Sequence, residues 1–249
     1  MREQIVEKIK EKKIIAIVRG IYEEECLGLA RALHAGGVDL MEVTFDQESA
    51  SERERTVETI RMILRELGSE MAIGAGTVTD VEMVELAKGA GAQFIVSPNT
   101  DEAVIKATVA ADMVSIPGGL TPTEMKFAYD CGADFVKIFP ACNMGVSYFK
   151  NVHAPLRQVK MLAVGGVNEN DAADYIAAGA SGVGVAGCLF KKDWVKNGEW
   201  EKITAASRKL VEKLSCNNQC ALVRRNAAPF LRDRVFSEES RKIFFKNKL

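Results

Sequence analysis

The feature that most constrains this chain is a pattern repeated eight times, in which a short apolar run is followed by a segment with helical spacing of its apolar residues. Each run contains Val or Ile and has the length of a buried strand. Strands that alternate with helices lie parallel in one sheet, and eight such units favour a closed sheet over an open one. The sequence therefore predicts an α/β fold, a (β/α)8 TIM barrel, with strands at residues 14–20, 38–45, 71–76, 92–98, 113–119, 134–140, 159–166 and 181–187.

The segments between these strands predict the outer helices of the barrel. Polar caps at Thr79, Thr121 and Asn168 are expected to start three of them. A charged amphipathic helix, residues 1–13, precedes the first strand. The other predicted helices cover residues 23–37, a segment ending at 67, segments ending near 90 and near 111, a segment after 121, and residues 147–152, 169–178 and about 200–214.

The repeat ends near residue 214, well before the end of the 249-residue chain. We expect one domain, the barrel of residues 1–214, followed by a basic tail, residues 215–249. The tail contains eight Lys or Arg and three Asp or Glu, and it does not continue the repeat. It is either a loosely attached appendage or an arm that packs against a neighbouring subunit.

Charge and composition argue against several classes of protein. Acidic and basic residues are interspersed and the net charge is −1, so the barrel offers no basic field to nucleic acid. The N-terminus does not resemble a signal sequence, and no apolar run approaches the length of a membrane span; we expect a soluble, cytoplasmic protein with no membrane partner. Six cysteines without paired ligand spacing and only two histidines argue against disulfides, a metal cofactor and a histidine-dependent nucleophile.

The sixth predicted strand, DFVKIFP, carries a lysine at its centre. Because side chains alternate along a strand, Lys137 points to the same side as Phe135 and Phe139. Burial disfavours the charged ammonium and lowers its pKa, as an enzyme requires of a lysine that forms a Schiff base with a carbonyl. The alternative is a lysine that reaches solvent from the end of the strand.

A second ionisable residue, Glu42, lies within the second predicted strand. Active sites of (β/α)8 barrels form where the strands end at their carboxyl termini. If Met41 and Val43 pack under the helices, Glu42 points into the barrel, where Lys137 and Arg19 are the available cations. The cluster could hold a carboxylate near substrate protons, or it could be a structural ion pair that seals the barrel mouth.

Other residues at the predicted strand ends are candidates for substrate binding. Thr77 could donate a hydrogen bond to a ligand carboxylate, or it could cap the helix that begins at Thr79. Gly165 and Gly166 precede a helix and leave backbone N–H groups free for an anion such as phosphate. The remaining candidates at this rim are Pro98, Phe139 and Gly187.

Several motifs occur together in an order that resembles a known family. They are IIAIVRG, GGVDLMEVTF, IGAGTVTD, AQFIVSPNTDE, IPGGLTPTE, ADFVKIFPA and AVGGVNENDAADYIAAGASGVGVAG. In this order they resemble the 2-keto-3-deoxy-6-phosphogluconate (KDPG) aldolase and 4-hydroxy-2-oxoglutarate (KHG) aldolase family, over about residues 5–214.

The resemblance implies a class I, metal-independent aldolase, a lyase of carbohydrate metabolism such as the Entner–Doudoroff route, that is usually a homotrimer. Its substrate would be a 2-keto-3-deoxy-4-hydroxy acid, either KDPG or KHG, and its products pyruvate and glyceraldehyde 3-phosphate or glyoxylate. Lys137 matches the Schiff-base lysine and Glu42 the general acid/base. Arg19 and Thr77 match positions that hold the pyruvate carboxylate, and the pair Gly165–Gly166 matches the distal phosphate or carboxylate pocket.

The chain also departs from the family pattern at three positions. Asp46 replaces an arginine found in many relatives four residues after the glutamate, so the carboxylate clamp depends on Arg19. Val164 and Gly187 replace residues with hydroxyl groups, which weakens the expectation of a phosphorylated substrate. Two other hypotheses remain at this stage: a non-covalent phosphate-binding isomerase or synthase, and a catalytically inactive oligomeric scaffold.

Overall fold

A computed structural model describes residues 1–215 of the chain, and the predicted tail from residue 216 onward lies outside the described residues. The elements alternate as the sequence predicts. They are α1 (Arg2–Lys12), β1 (Ile14–Val18), α2 (Glu23–Ala35), β2 (Leu40–Thr44), α3 (Ala50–Leu67), β3 (Ala72–Gly76), α4 (Val81–Ala90), β4 (Phe94–Val96), α5 (Glu102–Ala110), β5 (Val114–Ile116), β6 (Gly118–Gly119), α6 (Pro122–Asp130), β7 (Val136–Ile138), α7 (Ala141–His153), β8 (Met161–Val164), α8 (Ala172–Ala177), β9 (Gly182–Val185), α9 (Lys192–Lys196) and α10, residues 200–215.

All the strands are parallel, and the sheet closes on itself. Its order is β5-β4-β3-β2-β1-β9-β8-β7-β6, so the two ends of the sheet are β5 and β6. These two strands are consecutive in the chain and are separated only by Pro117, which has no N–H to continue a ladder. The backbone N–H of Lys137 donates to the Pro117 carbonyl at 2.8 Å and connects this junction to β7. The predicted (β/α)8 barrel is therefore confirmed, with its fifth strand divided in two.

Alternation along the strands separates two apolar clusters. The outward cluster lies under the helices and includes Met41 and Val43 of β2. The inward cluster fills the barrel and includes Leu40, Phe94, Phe135 and Leu162. Because β2 and β7 follow this alternation, Glu42 and Lys137 lie on the inner side of the sheet.

The N-terminal helix closes the barrel at the amino ends of the strands. Ile5, Val6 and Ile9 of α1 are buried and belong to the same cluster as the inward residues of the strands. Ile9 has no exposed surface. The predicted amphipathic helix is thus confirmed, and its apolar side forms the floor of the barrel.

A cluster of hydrogen-bonded polar side chains lies beside this floor. Asp39, just before β2, accepts from Lys12 at 2.8 Å and lies 2.8 Å from Nδ1 of His34. The other ring nitrogen of His34 lies 2.9 Å from a Glu70 oxygen. Burial alone would raise the pKa of Asp39, but hydrogen bonds from Lys12 and His34 outweigh it and lower that pKa. The floor therefore holds its buried carboxylate in a fully paired, ionised state.

Three details of the helices differ from the prediction. Thr121 starts α6 with a capping box, as expected, but α4 is capped by Asp80, because the Thr79 hydroxyl donates to Gln47 instead. The expected cap at Asn168 is wrong, since residues 168–171 form a turn and α8 begins at Ala172. The helix expected at 147–152 begins earlier, at Ala141, and is kinked at Gly145.

No helix within residues 1–215 combines the length and the apolar character needed to cross a membrane.

Candidate active site

Glu42 and Lys137 face each other across the mouth of the barrel. In the closed sheet, β2 and β7 are separated by four strand positions in either direction, counting β5 and β6 as one strand. Glu42 is 2% exposed and Lys137 is 7% exposed. In the described part of the chain, no ion pair of 4.0 Å or less joins them. The barrel thus presents a buried carboxylate and a buried amine on opposite walls.

Two glycines on β3 make room for this arrangement. The inward positions of that strand after Ala72 are Gly74 and Gly76, next to Glu42 and Thr44 of β2 in the sheet register. A Cβ at Gly76 would lie 2.8 Å from Oε1 of Glu42, and one at Gly74 would collide with the ring of Phe94. The GAG sequence of β3 therefore leaves space for the carboxylate and for the aromatic ring beside it.

The electrostatic environment shifts both groups toward their neutral forms. Burial raises the pKa of Glu42 to about 7, although the charges of Lys137 and Arg19 act in the opposite direction. Burial likewise lowers the pKa of Lys137, assisted by Arg19 and opposed by Glu42. The amine also lies 4.6 Å from the ring centroid of Phe139. The site therefore combines an amine shifted toward its neutral, nucleophilic form with a carboxyl group that can exchange protons near neutral pH.

Arg19 and Thr77 meet above the end of β2. Arg19 follows β1, Thr77 follows β3, and the guanidinium donates to the Thr77 hydroxyl at 3.0 Å. Thr77 has φ of 58°, and the Gln47 amide donates to its carbonyl at 2.7 Å. Because α4 is capped by Asp80, the capping role considered for Thr77 is wrong. The hydroxyl and the guanidinium instead form a polar pair at the barrel mouth.

Asp46 does not enter this pair. Its carboxylate accepts from the backbone N–H groups of Glu48 and Ser49 and so folds its own loop. These hydrogen bonds lower the pKa of Asp46. Arg19 is consequently the cation that the structure places beside Glu42 and Lys137.

Gly165, Gly166 and Gly187 line a cavity of about 720 Å³ on the β8–β9 side of the mouth. The first two have φ of 90° and 75°, a conformation that favours glycine. A Cβ at Gly165 would lie 2.8 Å from the Phe139 ring, and one at Gly166 would collide with the thiol of Cys142. Phe139 thus connects the glycine pair to the amine of Lys137.

The same cavity contains two residues that sequence reasoning missed, Lys191 and Trp194. Lys191 lies just before α9, a short helix that was not predicted, and its Nζ is 5.2 Å from the Trp194 ring centroid. A lysine four residues after the predicted end of the eighth strand was the available signal, but its direction depends on the path of the loop after β9. The cavity therefore has a cation that the sequence motifs did not indicate.

Pro98 lies apart from this cavity. It lines a separate recess of about 400 Å³ that it shares with Phe139, Thr100 and Phe127. Phe139 contributes to this recess and also packs against Gly165. Of the candidate residues, Pro98 therefore lies beside the barrel mouth and the glycine-lined cavity and not within them.

Comparisons with known proteins agree with this geometry. A family model described as "KDPG and KHG aldolase" matches residues 5–206. A 2-dehydro-3-deoxy-phosphogluconate aldolase of Haemophilus influenzae is 30% identical over 212 residues, which is 84% of this chain and 96% of the relative. A KHG/KDPG aldolase of Escherichia coli is 35% identical over 191 residues, 76% of this chain and 86% of the relative. The KDPG aldolase of Legionella pneumophila, with pyruvate captured as a covalent carbinolamine, superposes with a TM-score of 0.74 at 26% identity, covering 84% of this chain and 98% of that one.

Proposed function

The chain belongs to the KDPG and KHG aldolase family, and on that premise we propose that Lys137 and Glu42 carry out its class I aldolase reaction. The protein is an aldolase, a lyase that forms pyruvate from a 2-keto acid. The observation that supports these two roles is the buried amine of lowered pKa opposite a buried carboxyl group whose pKa is about 7. A non-covalent isomerase or an inactive scaffold would have no use for that pair.

The reaction begins when the neutral Lys137 amine attacks C2 of the 2-keto acid. Loss of water from the carbinolamine gives an iminium, which draws electrons from the C3–C4 bond when Glu42 removes the proton of the C4 hydroxyl. The bond breaks, the aldehyde leaves, and the electron pair remains on the pyruvate enamine. Protonated Glu42 then returns a proton to C3, and water hydrolyses the iminium to free pyruvate and Lys137.

We assign the pyruvate carboxylate to Arg19 and Thr77. The guanidinium has further N–H donors besides the one directed at the Thr77 hydroxyl, so it can bind a carboxylate in a bidentate manner. Its charge also favours the neutral form of Lys137. This pair would therefore fix the acid end of the substrate so that C2 meets the amine.

The aldehyde half of the substrate would extend into the cavity that contains Gly165, Gly166 and Lys191. The hydroxyl groups missing at Val164 and Gly187 weaken this pocket for phosphate, but the ammonium of Lys191 supplies a charge to the same cavity. We therefore favour a phosphorylated substrate, KDPG, over KHG. Replacing Lys191 with Met should raise KM for KDPG about tenfold and leave pyruvate trapping unchanged, with the exposed Lys196→Met as control; equal KM values would contradict this role.

The family resemblance also implies a cytoplasmic homotrimer, and we propose that state for this chain. Phe127, Phe139 and Met144 are exposed near the barrel mouth, and such apolar surface suits a subunit contact. Light scattering of the purified chain would give the oligomeric state, and a monomer at working concentration would refute the proposal.

Borohydride trapping with pyruvate tests the central proposal. Reduction should fix a pyruvate adduct, and peptide mass spectrometry should locate it on Lys137. The matched control is Lys160→Met, because Lys160 also lies over a phenylalanine ring of the same segment, Phe135, at 5.7 Å. That variant should trap pyruvate normally. An adduct on another lysine, or none with folded protein, would refute the assignment.

A further inference from the structure

Thr44, the last residue of β2, carries a hydroxyl group that has no partner. The residue is 2% exposed, and its Oγ1 makes no hydrogen bond within the described residues. Buried polar groups are almost always hydrogen-bonded, because an unpaired one loses its bonds to water without compensation. An unpaired hydroxyl inside a barrel therefore requires an explanation.

The location of Thr44 links it to the reacting groups. It follows Glu42 by one inward step along β2, roughly 6.6 Å nearer the mouth. In the sheet register it lies opposite Gly76. A Cβ at Gly76 would be 2.8 Å from Oε1 of Glu42 and 2.9 Å from Cγ2 of Thr44. The space left by this glycine is thus bordered by both side chains.

Thr44 also lies below the pair proposed to hold the substrate carboxylate. Arg19 follows β1 and Thr77 follows β3, and their hydrogen bond passes over the end of β2, the strand between them. Thr44 is the inward residue at that end. A group held by Arg19 and Thr77 while it reaches toward Glu42 must therefore pass Thr44.

Another unpaired hydroxyl gives a useful contrast. Ser207 Oγ is also buried without a partner, but Ser207 belongs to α10 in the outer layer, where it packs beside Gly36. The Ser207 hydroxyl is remote from the mouth, whereas that of Thr44 borders the site. Both residues bury a hydroxyl group without a hydrogen-bond partner, but only Thr44 does so beside the site.

We propose that the Thr44 hydroxyl donates a hydrogen bond to the carboxylate of the bound 2-keto acid, as a third member of the group formed by Arg19 and Thr77. The inference rests on the proposed function, since it concerns the ligand of that site. A carboxylate can accept about four hydrogen bonds, so it can bind Arg19 and Thr77 and still accept one from Thr44. Arg19 is exposed to solvent, which weakens its contribution, while a buried neutral donor adds a bond without burying another charge.

The test compares Thr44→Val, which replaces the hydroxyl with a methyl group of similar size, and Thr44→Ser, which keeps it. The pyruvate concentration for half-maximal borohydride trapping should rise about tenfold or more in Thr44→Val and stay near wild type in Thr44→Ser. The melting temperature of Thr44→Val should equal or exceed that of wild type, because an unpaired polar group has been removed from the interior.

Two control variants separate function from packing. Ser207→Ala removes the other unpaired hydroxyl and should leave trapping unchanged without loss of stability. Thr108→Val removes a buried hydroxyl that donates to the Val104 carbonyl at 2.7 Å, and it should lower the melting temperature without changing trapping.

Each outcome decides a specific point. If wild type traps pyruvate on Lys137 and Thr44→Val traps it at the same concentration, the role of Thr44 is refuted and the proposed function stands. If Thr44→Ser is as impaired as Thr44→Val, the methyl group matters rather than the hydroxyl, and the inference again fails. If wild type forms no adduct, the proposed function fails and the inference fails with it.

Discussion

Asp39, just before β2, and Glu42, in the middle of β2, are both buried carboxylates, and their pKa values are shifted in opposite directions. Asp39, at the floor, has a lowered pKa because Lys12 and His34 bond to it directly. Glu42, at the mouth, has a pKa raised to about 7 because burial dominates over charges that act without a direct bond. Near neutral pH, Asp39 is thus held ionised, whereas Glu42, three residues along the chain, is close to its titration midpoint.

The two ends of the barrel therefore use polar groups for different purposes. At the floor, polar side chains are hydrogen-bonded to one another beside the apolar residues of α1, which stabilises the fold. At the mouth, Glu42 and Lys137 are buried without a direct ion pair between them, and the buried Thr44 hydroxyl has no partner among the described residues. If a buried polar residue serves function and not stability, the folded protein is expected to become more stable when that residue is replaced by an apolar or neutral one. The following predictions test this division.

The largest effect should come from Lys137→Met. It removes the nucleophile, so aldolase activity should fall by about 10³-fold or more. The folded protein should be at least as stable, because an apolar side chain replaces a buried amine. Activity assays and thermal unfolding of the same preparation measure both effects. The matched change at the floor, Lys12→Met, should lower stability and retain activity. An active Lys137→Met variant would show that the mouth lysine is not the nucleophile and would refute the division between floor and mouth.

Glu42→Gln should reduce activity by about 10² to 10⁴-fold, since an amide cannot exchange the C4 and C3 protons. Because cleavage requires the ionised carboxylate, wild-type activity should rise as pH increases through about 7, and the variant should lack this rise. The stability of the wild-type protein should change with pH in the opposite direction to its activity. A raised pKa means that the folded state loses stability as pH increases from the unfolded pKa toward 7, so the variant should gain relative to wild type over that interval.

Ile9→Ala should test the floor itself. Ile9 has no exposed surface, and truncation inside a packed core lowers the free energy of unfolding by about 2–5 kcal/mol. Activity per folded molecule should stay at the wild-type value, because the floor lies at the end of the barrel opposite Glu42 and Lys137. Denaturant unfolding and an assay at full folding measure the two quantities. A loss of turnover would mean that the floor positions Glu42 or Lys137.

Asp39→Asn should have the smallest effect, a loss of about 1–3 kcal/mol at neutral pH through weakened bonds to Lys12 and His34. A carboxylate with a lowered pKa contributes stability above its unfolded pKa of about 3.9 and loses it as pH falls through the folded value. Wild type should therefore lose more stability than the variant below about pH 4, and activity should be unaffected. A variant with the same acid dependence as wild type would assign that dependence to other groups.

Sequence reasoning placed Glu42 and Lys137 on the inner side of the sheet because the two-residue period of a strand is insensitive to its exact ends. Glu42 and Lys137 fall on the inner side whether β2 and β7 have their predicted or observed lengths. Helix starts were less predictable, since Asp80 and Thr79 are both good caps and the choice depends on the contact between Thr79 and Gln47. The start of α7 was missed because Asn143 and Gly145 are poor helix formers.

A different reason explains why the cavity that contains Lys191 and the unpaired hydroxyl of Thr44 could not be predicted. Lys191 enters the cavity by the path of the loop after β9, and local propensity does not determine that path. Alternation places Thr44 inside the barrel, but whether its hydroxyl finds a partner depends on every neighbour at the mouth. Such features belong to the tertiary structure as a whole.

The division of the fifth strand at Pro117 also separates the residues proposed for catalysis into two segments of chain. Arg19, Glu42 and Thr77 precede it, whereas Lys137 and the glycine-lined cavity follow it. Neither segment contains both the amine and the carboxylate. Fragments produced by a cut at this point would each be inert, and turnover would appear only on their reassociation, so that catalysis would serve as a direct assay for the joining of two half-barrels.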